Sequence, residues 1–130
     1  MIFAKEQLEI KDRLEKLGHD VLVTDDIGNY VDRPTVKQDF TEELRLSREY
    51  DIMRTFFNKI EKSDALLICN FPRDGVAGYL GVSALMEIGL AYYLRKKIYL
   101  LFEIDGARGY ALEVAIINPT IINGDVSRII

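Results

Sequence analysis

The chain has 130 residues, of which 48% are hydrophobic and 29% charged, so it is long enough to bury a globular core. Its net charge of −4 argues against general nucleic-acid binding, and no apolar run reaches the ~18 residues of a membrane helix. One cysteine and one histidine exclude an intrachain disulfide and disfavour a zinc site, and no signal-peptide pattern is present. We therefore expect a single cytoplasmic domain, 1–130, without a bound metal.

The first part of the chain predicts a helix, a short strand, a loop and a second helix. Apolar residues recur at helical spacing over 1–17, and Gly18 is typical of a helix end. Residues 19–24 predict a short strand, and we interpret His19, at the start of that strand, as structural rather than as a base. Residues 25–38 are polar and predict a loop, after which a capping pattern from Asp39 predicts one long helix to Lys62.

The stretch 63–102 predicts a β-α-β unit. Residues 65–69 and 98–102 are continuous apolar runs, as in strands buried on both faces of a parallel sheet. Residues 81–94 are long enough for a right-handed crossover helix. Because ligands of such sheets bind beyond the carboxyl ends of the strands, the loop 70–80 is the expected binding edge.

The last part of the chain predicts a short helix and an edge strand. Residues 108–117 are mainly apolar, and residues 119–122 begin with a proline, which is tolerated at the start of an edge strand. Residues 123–125 predict a turn, and residues 126–130 a tail.

Glu87 is the one charged residue in the apolar run 85–91. It can lie at the helix edge and reach water or a lysine such as Lys96 or Lys97. It can also be a carboxylate held in a partly desolvated pocket, which suits nucleophilic or acid–base chemistry. Helical periodicity leaves both interpretations open.

The order of these features resembles the nucleoside 2-deoxyribosyltransferase superfamily, and most of all its uncharacterised bacterial and archaeal branch. The resemblance rests on Ser63-Asp64 before an apolar strand, a glycine-bearing loop, the run Met86-Glu87-Ile88-Gly89-Leu90-Ala91 and the strand at 98–101. It covers about residues 3–128. It implies a three-layer, flavodoxin-like α/β domain with a mostly parallel sheet, which here lacks the usual first strand. We therefore expect a coding start upstream of Met1 or, less favoured, a rearranged sheet.

The resemblance also implies a site. Glu87 matches the glutamate that attacks the anomeric carbon of a deoxyribosyl group in the characterised relatives. The amide of Asn70 suits sugar hydroxyls, and Arg73 suits a phosphate, although a solvated loop arginine is an equally good interpretation. The remaining substrate-binding candidates are Gly81, Ser83 and Asn123. Asn123 corresponds to a position that approaches a neighbouring subunit's pocket in relatives, so we expect a dimer or higher homo-oligomer.

Three positions depart from the family pattern. Gly81 occupies the position at which the transferases carry an aspartate, and Ser83-Ala84 occupies the position of a Gly-Thr pair. Phe56 occupies the position of a further carboxylate, and we conjecture that Asp51 replaces that carboxylate. The resemblance implies cleavage or transfer of the N-glycosidic bond of a small (deoxy)nucleoside or its 5′-monophosphate, without a cofactor. The alternatives are a non-catalytic nucleotide-binding or regulatory protein of the same fold and a purely structural dimer module.

Overall fold

The computed structural model describes residues 3–23 and 40–130. The chain divides into two compact units, Met1–Lys59 and Ile60–Ile130, which are described separately. The expectation of a single domain stays a prediction.

The described residues form five α-helices, one 3₁₀ turn and three strands. In chain order these are α1 (Ala4–Lys16), α2 (Phe40–Glu49), α3 (Ile52–Lys62), β1 (Ala65–Ile68), α4 (Val82–Tyr93), β2 (Lys97–Leu100), α5 (Ala111–Ile117), β3 (Thr120–Ile121) and a 3₁₀ turn (Val126–Arg128).

In the first unit, α1 ends as the sequence predicts. Gly18 has φ +97°, and the backbone N–H groups of Gly18 and His19 donate to the carbonyls of Glu15 and Leu14. This left-handed closure satisfies two carbonyls at the helix end and favours glycine. His19 therefore contributes its backbone to the helix end, in agreement with a structural interpretation of this residue.

The predicted strand at 19–24 is wrong for the part that the structure describes. Residues 19–23 have no regular structure, and the carbonyl of Val23 accepts a hydrogen bond from the Lys59 ammonium at 2.7 Å. A strand requires a neighbouring backbone, and the apolar pattern of a short segment does not supply one. Thr24, the predicted loop 25–38 and the predicted cap Asp39 lie outside the described residues.

The predicted single helix to Lys62 is also wrong, because the backbone breaks at Asp51. Asp51 has φ +47°, a left-handed conformation that cannot continue a helix and that aspartate tolerates better than most residues. Its carbonyl accepts from the N–H of Thr55 at 2.9 Å, and its carboxylate accepts from the Arg54 guanidinium at 2.6 Å. Asp51 thus ends α2 and begins α3.

The second unit confirms the predicted β-α-β unit and the short edge strand. Its sheet has the order β1-β2-β3 with all pairs parallel, and Leu66 lies opposite Ile98 while Tyr99 lies opposite Thr120. The α/β class follows from this sheet and its crossover helices α4 and α5. The largest fully buried side chains in this unit are Ile88, Leu100, Leu101, Ile122 and Val126.

The segment after β3 packs onto this core. Val126 is only 2% exposed, and the Asp125 carboxylate accepts from the backbone N–H and the hydroxyl of Ser127 at 3.1 and 2.6 Å. The predicted tail therefore begins with a capped, buried turn. Among the described residues, no helix has the length and apolar character that crossing a membrane requires.

Candidate functional site

Most of the predicted site residues lie at the carboxyl edge of the sheet or in the segment that follows it. Asn70 follows β1, Glu103 follows β2 and Asn123 follows β3. Because the three strands are parallel, their carboxyl ends meet at one edge. Asn123 is exposed in a turn with φ +50°, which the following Gly124 closes by donating to the Leu101 carbonyl at 2.9 Å.

Asn70 joins three segments of this edge. Asn70 is buried, at 2% exposure. Its amide nitrogen donates to the carbonyl of Phe102 at 2.7 Å and to that of Gly78 at 3.4 Å, and its amide oxygen accepts from the N–H of Phe102 at 2.9 Å. Both N–H groups of the amide are thus used by the protein itself. A substrate contact by Asn70 stays a prediction, and the observed geometry shows a group that ties β1, β2 and the loop 71–80 together.

Gly78 allows the loop to approach the segment after β2. Its φ is +59°, and a Cβ atom built on it would lie 2.0 Å from the carbonyl oxygen of Glu103. The neighbour is backbone and cannot rotate away, so this position admits glycine alone.

The loop 71–80 contains a tight turn that holds Arg73. Asp74 and Gly75 both have positive φ, at 52° and 75°, as in a type I′ turn, and Arg73 and Val76 exchange backbone hydrogen bonds of 3.1 and 2.9 Å. The Arg73 guanidinium carbon lies 5.4 Å from the centre of the Tyr79 ring, and its Nε lies 3.7 Å from the Asp74 carboxylate. The arginine is half-buried and held against its own loop.

Gly81 and Ser83 lie at the start of α4. Gly81 precedes the first helical residue with φ −77° and ψ 169°, which any residue can adopt, and a Cβ there would have Tyr79 at 3.8 Å as its nearest neighbour. A side chain would therefore fit where the transferases carry an aspartate. Ser83 is exposed on the first turn, one turn before Glu87.

Glu87 lies on α4 beside the buried line of Ile88 and Ala91. Burial raises the pKa of its carboxyl from 4.5 to about 7. No ion pair or hydrogen bond connects it to Lys96, Lys97 or any other residue that the structure describes. The lysine pair of the first interpretation is therefore not observed among the described residues, whereas the raised pKa agrees with a partly desolvated carboxylate.

The Cys69 thiol and the grouping of possible metal ligands were the other candidate sources of chemistry at this edge. Burial raises the pKa of the Cys69 thiol to about 12, so the thiol stays protonated at neutral pH and is a poor nucleophile. Within residues 3–23 and 40–130, no three His, Cys, Asp or Glu side chains are grouped so that they could hold a metal ion.

Glu103 is a candidate that the sequence analysis did not single out. It is exposed at the same edge, and no described group forms an ion pair with it. Its position directly after the apolar run of β2 is the signal that identifies it, since side chains at that point of a parallel sheet face the ligand edge.

A cavity of about 910 Å³ lies at the opposite end of the strands. The start of β2, the start of β3 and the last residues of α4 and α5 line it, and Arg95, Lys96 and Lys97 are among its side chains. Two helix ends place negative partial charge there, which these cations offset. None of the predicted site residues lines this cavity.

Comparison with known proteins adds no constraint to this geometry: no family model, no curated protein and no solved structure matches the chain.

Proposed function

We propose that the protein cleaves or transfers the N-glycosidic bond of a (deoxy)nucleoside or its 5′-monophosphate, with Glu87 as the nucleophile. The observation that carries the proposal is a poorly solvated carboxylate on an otherwise apolar helix, with no partner among the described residues and a pKa of about 7. A structural carboxylate in such a place is normally paired, whereas a nucleophile must be left available.

The proposed reaction has two displacement steps. A carboxylate oxygen of Glu87 forms a bond to C1′ while the bond from C1′ to the base nitrogen breaks, and the electron pair leaves with the base, which takes up a proton. Water or the nitrogen of a second base then attacks C1′, loses a proton and releases the Glu87 carboxylate. The partial desolvation of Glu87 raises the reactivity of its ionised form towards carbon.

We further propose that Glu103 accepts a hydrogen bond from the sugar or the leaving base at this edge. Glycosyl transfer normally uses two carboxylic acids with separate roles. Glu103 is exposed at the carboxyl edge, while Asp105 is engaged with the N–H of Ala107 and with Arg108.

The fold in this proposal is a flavodoxin-like three-layer domain. It is supported by the parallel order β1-β2-β3, with a helix in each crossover. The nucleoside 2-deoxyribosyltransferase resemblance of the stretch 63–102 supplies the rest of the expectation, including a nucleoside as the small-molecule partner.

The test measures, by chromatography, the release of free base from nucleosides, 2′-deoxynucleosides and their 5′-monophosphates. We expect the parent chain to release base and Glu87→Gln to lose more than about 1000-fold in rate, because the amide cannot act as the nucleophile. The matched control is Glu113→Gln, an exposed acid on α5, which should keep the parent rate. Since Glu87 must be ionised to attack, the rate should rise with pH through about 7.

A folded parent chain that releases no base, with or without an added acceptor base, would overturn this proposal. Nucleotide binding without turnover, seen as a rise in melting temperature that Glu87→Gln leaves intact, would favour the non-catalytic nucleotide-binding protein.

A further inference from the structure

The cavity of about 910 Å³ at the amino end of the strands is lined by three cations, and no acid among the described residues lines it. The cations are Arg95, Lys96 and Lys97. They are the only adjacent cationic residues in the sequence, and no acid occurs between Glu87 and Glu103. Since the whole chain has a net charge of −4, this positive cavity runs against the charge of the protein as a whole.

The three cations have no acidic partner in the part of the chain that the structure describes. Arg95, Lys96 and Lys97 form no ion pair with a described aspartate or glutamate. Asp64 lies at the same end, since its carbonyl accepts the Lys97 N–H at 3.3 Å, but its carboxylate does not line the cavity. The positive charge is therefore balanced by groups that come from solution.

Two helix ends account for only part of this charge. The last residues of α4 and α5 line the cavity, and a helix end carries about half a negative charge. Three cations exceed what the two ends offset, so the cavity remains positive. Tyrosine and isoleucine side chains form much of its wall, and such low-dielectric walls strengthen the field inside a cleft.

Strand β2 directs two hydrogen-bond donors to one oxygen atom in this cavity. Lys97 and Tyr99 are two residues apart, so their side chains lie on the same face of the sheet. The Lys97 ammonium and the Tyr99 hydroxyl both donate to the carbonyl oxygen of Ile130, at 3.2 and 3.4 Å. Tyr99 is only 5% exposed, and its 3.4 Å bond is longer than the usual range of about 2.5–3.0 Å for a hydroxyl donor. The two donors therefore suit an oxygen acceptor that approaches more closely.

Arg95 occupies a backbone position that favours glycine. Its φ is +60°, and it closes α4 in the way that Gly18 closes α1. A non-glycine residue in this conformation is strained, and strained residues of this kind cluster at functional sites. Asn118, which follows α5, has φ +56° and lines the same cavity. Both helix closures thus bring a hydrogen-bonding side chain to the cavity where a glycine would bring none.

We propose that this cavity binds a small molecule that carries two or more adjacent phosphate groups. One phosphate accepts hydrogen bonds from the Lys97 ammonium and the Tyr99 hydroxyl, in place of the Ile130 carbonyl. The next phosphate lies against Arg95 and Lys96, which supply charge-assisted hydrogen bonds. The cations extend from the end of α4 to the start of β2, so a single phosphate does not reach all of them.

The cavity lies at the opposite end of the strands from the candidate nucleophile's edge, so the inference goes beyond the proposed function and does not rest on it. Its size favours a small ligand over a nucleic acid. Pockets for small molecules usually enclose about 300–1,000 Å³, a range that includes this cavity. Nucleic-acid binding usually uses about 6–10 phosphate contacts, more than three cations supply.

The first test is isothermal titration calorimetry with inorganic pyrophosphate and with inorganic phosphate, at about 150 mM salt. We expect pyrophosphate to bind at least about tenfold more tightly, because it contacts both parts of the cation cluster. Lys96→Met should raise the dissociation constant for pyrophosphate at least about tenfold. The matched control is Arg108→Met, an exposed arginine between β2 and α5, which should bind pyrophosphate as the parent does.

Arg95→Gly separates a folding defect from a binding defect. Glycine adopts the left-handed conformation at position 95 without strain, so this variant should melt at the same or a higher temperature than the parent. It also removes one guanidinium group from the cavity, so pyrophosphate should bind at least about tenfold more weakly.

Amide chemical shifts in NMR spectra locate the ligand, and a chain of 14.9 kDa is small enough for this measurement. Pyrophosphate should shift the amide signals of residues 95–99 and 118–120, which line the cavity or adjoin it. The signals of the loop 71–80, at the other end of the strands, should stay in place.

Four outcomes would overturn the proposal. The first is a folded parent chain that does not bind pyrophosphate, and the second is equal weakening by Arg108→Met and Lys96→Met, which would indicate general attraction of charge. Shifts confined to the loop 71–80 would assign the phosphate to the candidate site instead. A single-stranded oligonucleotide that binds through the same cations more tightly than pyrophosphate would replace the small ligand with a nucleic acid.

Discussion

Burial of Glu87 is a property of a single residue that should be visible in the stability of the protein. Its pKa rises from 4.5 to about 7 because the ionised form loses hydration without gaining a partner among the described residues. The folded state therefore holds its proton more tightly than the unfolded state does. Between pH 4.5 and pH 7 the folded state binds more protons, so stability falls as pH rises.

We expect this group to lower the free energy of unfolding by about 3 kcal/mol between pH 4.5 and pH 7 and to contribute no further change above that range. Urea unfolding of the parent and of Glu87→Gln across this range measures the difference. The glutamine variant should gain stability relative to the parent as pH rises. A constant difference between the two chains would show that Glu87 is well solvated or paired.

Gly78 is a second residue whose role depends on its contacts. We expect Gly78→Ala to lower the free energy of unfolding by at least about 2 kcal/mol, because alanine adds left-handed strain and a clash with backbone. The clash is with the Glu103 carbonyl, 2.0 Å from the added Cβ. In Gly106→Ala the added atom meets nothing within 4 Å, so that variant should unfold like the parent. Equal losses in the two variants would contradict the close approach.

At the scale of elements, the Asn70 side chain forms hydrogen bonds between segments, as the backbone does within the sheet. Its three hydrogen bonds connect the end of β1 to Phe102 after β2 and to Gly78 in the loop. β1 and β2 have only four residues each, so few backbone hydrogen bonds join them. The side-chain hydrogen bonds of Asn70 therefore contribute much of the stability of this edge of the sheet.

We expect Asn70→Leu to lower the free energy of unfolding by about 2–4 kcal/mol, because leucine leaves the N–H and carbonyl of Phe102 without their side-chain partner. Chemical denaturation measures this loss. Asn58→Leu, an exposed asparagine on α3, is the control and should change stability little. If base release exists and Asn70 acts by positioning the loop, the variant should also lose activity at temperatures where it remains folded. A fully stable variant would show that the three bonds are dispensable.

The end of α4 illustrates how a helix finishes without the expected glycine. Arg95, the second residue after α4, has φ +60°. Its N–H donates to the Tyr92 carbonyl, and the N–H of Lys96 donates to the Ala91 carbonyl. This is the left-handed closure that Gly18 provides for α1, here made by an arginine at a cost in strain of about 1 kcal/mol. The positive charge at a helix carboxyl end offsets part of that cost.

At the scale of the whole molecule, the candidate chemistry belongs to one of the two units. Glu87 and the proposed substrate-binding residues all lie within Ile60–Ile130, together with every strand of the described chain. In the first unit, α2 has no buried residue, and the ion pairs of Arg45 with Glu42 and Glu49 are solvent-exposed, so they contribute little to stability.

Local pattern was enough to predict much of this molecule from its sequence. The apolar runs at 65–69 and 98–102 predicted β1 and β2, the intervening apolar stretch predicted α4, and Gly18 predicted the end of α1. These features depend on side-chain periodicity and on backbone preferences that each residue carries with it. The same periodicity singled out Glu87, because a carboxylate in an apolar helix stands out in any fold.

Only the tertiary structure decided which segments and side chains form contacts with distant parts of the chain. Residues 19–23 have the composition of a strand but no ladder, and Asp51 breaks a helix that its neighbours would continue. The contacts of the Asn70 amide, the close approach at Gly78 and the lack of a partner for Glu87 among the described residues each depend on groups distant in sequence. Hydrogen bonds, steric contact and desolvation depend on which atoms lie next to each other. Those neighbours are known only once the complete fold is known, so the local sequence pattern does not predict them.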